Sequence, residues 1–71
     1  MSYGVVLFYT NSSALRAEKA LVQAGLAVKL IPTPRELSSD CGIALRFDVA
    51  QRQQVESLLA LVETAGIHDL P

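Results

Sequence analysis

Cys41 is the single cysteine of this chain, and it sits in the polar stretch Ser38-Ser39-Asp40-Cys41-Gly42. A lone thiol cannot close an internal disulfide. It is either a small apolar filler or a working sulfur atom. Free cysteine often behaves as filler, but a polar loop ahead of a strand-like run is a less usual place for one. Residue type and position leave both readings open. Gly42 leaves room for a second molecule to approach the sulfur, and Arg35 in the same loop could bring a positive charge. Asp40 works the other way, because a neighbouring carboxylate raises a thiol pKa. Ser39 is a polar neighbour grouped with this candidate site.

Other chemistry finds few ingredients. His68 is the one histidine and lies close to the chain end. One Cys and one His do not make a zinc site, so no metal is expected. The glycines at 4, 25, 42 and 66 form no phosphate-binding loop, and no cofactor site is read. A stand-alone enzyme is therefore poorly supported.

The elements that must position Cys41 follow from patterning. Tyr3 to Tyr9 is a continuous apolar run with β-branched and aromatic residues, which reads as a central strand. Thr10, Asn11, Ser12 and Ser13 are residues that favour helix starts. A first helix is expected to about Ala24, burying Ala14, Ala17, Leu21 and Ala24 with Leu15 and Val22 on its margin, and stopping at Gly25. Leu26 to Ile31 alternates and reads as strand two. Pro32 and Pro34 should end regular pairing. Strand three is Ile43 to Phe47, with Ile43, Leu45 and Phe47 inward. Asp48 and Gln51 resemble a capping-box pair. A second helix is expected to about Ala65, burying Val55, Leu58, Leu59 and Val62, with Gly66 as its stop. Residues 67–70 read as a short fourth strand or a tail.

The order β-α-β-β-α(β) points to one α+β domain over residues 1–71. The expected architecture is a ferredoxin-like two-layer sandwich, an antiparallel sheet with both helices on one face. Strands one and two then point the same way. The end of strand one, the start of helix one and the loop between strands two and three share one edge. Asn11, Ser12 and Ser13 become expected neighbours of Cys41. A helix start carries unpaired N–H groups and partial positive charge, which lower a thiol pKa.

Bulk numbers bound the function classes. The chain has 71 residues, 51% hydrophobic, with net charge −1. Without a basic footprint no nucleic-acid partner is expected. No apolar run approaches the roughly 20 residues of a membrane span, and Met1-Ser2-Tyr3 lacks a signal-peptide basic region. A cytoplasmic, reducing location is the expectation.

The segment from Ile31 to Phe47, with Pro32-Thr33-Pro34-Arg35-Glu36 leading into Ser39-Asp40-Cys41-Gly42, resembles the selenium/sulfur carrier-like family of small bacterial proteins. So does the aromatic-Thr-Asn-Ser segment at Tyr9 to Ser12, followed by Ala14-Leu15 and Glu18-Lys19. The similarity runs from Val5 to about Ile67. It implies a carrier that holds sulfur or selenium on Cys41, as a persulfide or its selenium analogue, and exchanges it with donor and acceptor proteins. The alternative is a non-catalytic binding or regulatory module, with Cys41 structural or redox-sensing. Strand one is apolar on both sides, with Val5, Leu7 and Tyr9 opposite Val6 and Phe8. One row is then left facing away from the helices, which predicts a homodimer through the open sheet face.

Overall fold

The computed structural model describes residues 2–37, 42–60, 62 and 64–70. Its elements are β1 (Tyr3–Leu7), α1 (Asn11–Gln23), β2 (Val28–Pro32), β3 (Ile43–Asp48), a 3-10 turn (Val49–Gln51), α2 (Arg52–Leu58) and β4 (Gly66–Asp69). The strands form one sheet in the order β2-β3-β1-β4. Every neighbouring pair is antiparallel. This is an α+β fold with the strand order of a ferredoxin-like sandwich, as the element pattern predicted. Because β1 and β2 both oppose β3, they run the same way.

Val6, Phe8, Leu45 and Phe47 share a core cluster with Ala14, Ala17 and Leu21 of α1 and Val55 of α2. Leu59, which follows α2, and the half-buried Leu26, Val28, Leu30, Ile43, Val62 and Ile67 complete it. Gly4 pairs with Phe47, and a Cβ at Gly4 would stand 2.5 Å from the Phe47 Cζ. That close approach, not backbone freedom, is why glycine fits there.

α1 forms where its caps predict. The Ser13 N–H donates to Thr10 Oγ1 at 3.1 Å, so Thr10 is the N-cap. At the other end Gly25 takes φ +85°. Its N–H donates to the Val22 carbonyl and the Leu26 N–H to the Leu21 carbonyl, each at 3.0 Å. These are the two bonds of a Schellman stop. Ala24, expected to be buried, is exposed, as are Leu15 and Val22.

Several boundaries differ from expectation. β1 ends at Leu7: Phe8 stays buried beyond it and Tyr9 is exposed. β2 continues through Pro32, which pairs with Ile43. β2 is an edge strand with one neighbour, so a residue lacking an N–H is tolerated. Asp48 does cap, its Oδ1 accepting from the Ala50 N–H at 2.9 Å. The reciprocal half of a capping box is not formed, because the buried Gln51 Oε1 has no partner among the described residues.

α2 stops at Leu58 instead of continuing to Ala65, and Leu58 is exposed. The reason lies in the sheet. The Ala65 N–H donates to the Leu7 carbonyl at 2.7 Å, and Gly66 pairs with Leu7. The chain must already be extended there, which a helix to Ala65 forbids. Gly66 takes φ +151° as the first residue of β4 and is not a helix stop. Arg52 then ties α2 to β4, donating to Asp69 Oδ1 at 2.6 Å and to Glu56 Oε1 at 3.0 Å. The hydrogen bond to Glu56, with help from the Asp69 charge, raises the Arg52 guanidinium above its already high ordinary value.

Within β1 the second row is buried. Val5 is fully buried and Leu7 nearly so. They form a second cluster with Ala44, and Ile31, Leu37, Ala65 and Leu70 pack against it. The chain covers Val5 and Leu7 itself, while Tyr9 of the same row is exposed, so the apolar row on which a homodimer was expected is only partly open. Among the described residues no helix is long and apolar enough to cross a membrane.

Candidate functional site

Sequence reasoning centred the site on the connection between β2 and β3. Cys41 and Ser39 lie outside the described residues. The base of the connection is well defined. Pro32 pairs with Ile43, and the Thr33 N–H donates to the Gly42 carbonyl at 3.1 Å. This bond closes the loop one step beyond the ladder, in the hydrogen-bonded pair next to Pro32, whose own nitrogen faces the open edge of β2.

The described start of the loop is tied to the domain. Within it Leu37 donates its N–H to the Pro34 carbonyl at 3.0 Å, making a turn. The Leu37 side chain packs against the cluster of Val5, Leu7 and Ala44. Sequence reasoning overlooked Leu37. The available signal was simple: it is the one large aliphatic side chain between Thr33 and Gly42. An apolar residue alone in a polar loop is one the fold can use as an anchor.

Gly42 is exposed. A Cβ there would meet nothing within 4 Å among the described residues. Among the described residues, crowding does not require glycine at this position. That contrasts with Gly4, Gly25 and Gly66, each of which has a steric or conformational reason.

Arg35 is exposed in the turn and forms no ion pair among the described residues. The surface pairing with Glu36 that its position suggests is not made there. Asn11 and Ser12 open α1 and are exposed, while Ser13 is half-buried and its hydroxyl accepts from Thr10 Oγ1–H at 3.0 Å. The register Leu7 to Ala44 puts the end of β1 beside the start of β3. The approach to α1 and Gly42 thus leave the same end of the sheet, as the topology predicted. Among the described residues no three His, Cys, Asp or Glu side chains gather as a metal-binding group.

A family comparison bears on what this loop is for. The family described as "Putative Se/S carrier protein-like" matches residues 3–69. The chain belongs to this family. The match takes in every strand, both helices and the whole β2–β3 loop. No curated protein and no solved structure matches the chain.

Proposed function

We propose that this member of the carrier family holds a sulfur or selenium atom on Cys41 and passes it between partner proteins. The observation that carries the reading is the family match, which spans the loop holding the chain's single cysteine. The open space at Gly42 among the described residues supports it, since a thiol that exchanges atoms with another protein must be approached closely.

The chemistry is thiol exchange. The Cys41 thiolate attacks the terminal sulfur of a donor persulfide. A bond forms between Cys41 Sγ and that sulfur as the donor S–S bond breaks, and the donor leaves as a thiolate. Cys41 then carries –S–SH, and the proton on the transferred sulfur moves with it. With selenium the transferred group is –SeH. No net oxidation occurs, so no redox cofactor is invoked. A second attack, by an acceptor thiolate on the terminal atom, returns Cys41 to its thiolate. The carrier needs no general base beyond what its partners bring. Asn11, Ser12 and Ser13 at the start of α1, with Arg35, Ser39 and Gly42 in the loop, form the proposed surroundings of the thiol. The alternative is a binding or regulatory module dimerising through the open sheet face, with Cys41 structural or redox-sensing; the burial of Val5 and Leu7 within one chain leaves less apolar surface for such pairing.

The test is intact-protein and peptide mass spectrometry after incubation with a cysteine desulfurase and cysteine. The expected product is one additional sulfur located on Cys41, absent in Cys41→Ser. Gly42→Val is expected to fold normally and load more slowly. An unmodified Cys41 beside a desulfurase that has demonstrably formed its own persulfide would overturn the proposal.

A further inference from the structure

The second sheet face holds a charged feature away from the β2–β3 loop. The registers place Lys29, Arg46, Val5 and His68 in one row across β2, β3, β1 and β4. Lys29 and Arg46 are directly opposite each other. Like charges in that relation destabilise a sheet, and neither has an ion pair among the described residues. The Arg46 guanidinium lies 4.4 Å from the centre of the Tyr3 ring. Tyr3, Lys29 and Arg46, with Ala27, Val28 and Asp48, line a depression of about 490 Å³.

These features fit a receptor for carboxylates. A guanidinium held against an aromatic ring keeps the N–H groups at its edge available for paired donation to a planar oxyanion. Lys29 adds a compact charge alongside. Asp48, the one carboxylate lining the depression, makes no ion pair with either cation within 4 Å, and its Oδ1 accepts from the Ala50 N–H. A lysine on an edge strand can serve only to discourage strand pairing. That explains Lys29 on β2, but not Arg46 directly opposite on the inner strand β3. The depression is open to the surface, which suits side chains presented by another protein.

We infer that the Lys29–Arg46 pair, with Arg46 braced on Tyr3, is a docking site for an acidic segment of a partner protein. Charge complementarity selects this occupant: the pair is a local concentration of positive charge on a chain whose net charge is −1. The site lies three residues along β3 from Ile43, so about 10 Å from the base of the β2–β3 loop. A partner seated with an ordinary footprint of roughly 800 Å² would also reach that base.

The experiment is a heteronuclear NMR titration of the full chain with an end-blocked hexaglutamate peptide, alongside hexalysine and inorganic phosphate. Saturable amide shifts are expected at Tyr3, Lys29 and Arg46 with hexaglutamate, suppressed at about 1 M salt, where the screening length falls to about 3 Å. Lys29→Gln, an exposed change, should weaken binding roughly fivefold, and Arg46→Gln at least as much. Absence of these shifts, or equal binding by Lys29→Gln, would overturn the inference. So would saturation by phosphate without a response to hexaglutamate, which would identify a free oxyanion as the ligand. The titration does not involve the thiol, so its outcome is independent of whether Cys41 can be loaded.

Discussion

The two sides of β1 are buried to the same depth by different means. Val6 and Phe8 lie under residues of two helices, in a cluster that also takes Leu45 and Phe47. Val5 and Leu7 lie under short separate pieces: Leu37 from the β2–β3 loop, Ala65 and Leu70 from either end of β4, and Ile31 from β2. Helical cover comes as one cooperative unit, whereas piecemeal cover can be lost one piece at a time. The difference places the stability of the domain on one face. The other carries the proposed functional parts, the anchored loop and the Lys29–Arg46 pair. A carrier has to present a loop to partners, and an anchor that is part of a thin cover is suited to that.

This contrast can be broken most directly at Phe47. Phe47→Ala should cost about 3–5 kcal/mol. That is comparable with much of the total stability of a domain this size, roughly 0.05–0.15 kcal/mol per residue. Urea unfolding followed by circular dichroism should show a largely unfolded population without denaturant. A loss under about 1 kcal/mol, within the ordinary range for surface changes, would mean the helix-side cluster is not the dominant core.

Leu37→Ala probes the thinner cover and should cost less, about 1–2 kcal/mol, because the side chain is only half-buried. Hydrogen exchange at the Leu37 amide should accelerate well beyond that at amides within β3. Uniform acceleration across β1 and β3 would show instead that both covers open together, and the contrast between the faces would fail.

Lys29→Glu gives the smallest change and the opposite sign. It replaces a like-charge cross-strand pair with an attractive one facing Arg46. Such pairs are worth about 0.2–1 kcal/mol, so the midpoint of urea unfolding should rise slightly. Hexaglutamate binding should be lost in the same variant. A stabilised protein that no longer binds would mark the cation pair as kept for recognition rather than for folding. Destabilisation would mean that Lys29 supports the sheet in some other way.

Much of the fold was legible because its signals are local. Thr10 and Gly25 bracket α1, and apolar runs separated by turn residues mark the strands. Errors appeared where an element's fate depends on a distant partner. The helical pattern after Asp48 runs on past Leu58, yet pairing with β1 extends the chain by Ala65. Pro32 reads as a breaker until β2 is known to be an edge. The candidate site was legible in its residue types, with Cys41 and Gly42 marking the loop. Leu37 could be recognised as an anchor only once the buried cluster beneath it was known.

The sequence by itself determined the order of elements, the limits of α1, the apolar character of both sides of β1 and the solitary thiol with the loop that carries it. These depend on periodicity, capping and composition, which act over a few residues. Tertiary structure alone decided which pieces cover Val5 and Leu7, and that Lys29 stands directly opposite Arg46. Those facts depend on strand register and packing between residues far apart in the chain. A shift of one residue in register would move every side chain of a strand to the other face.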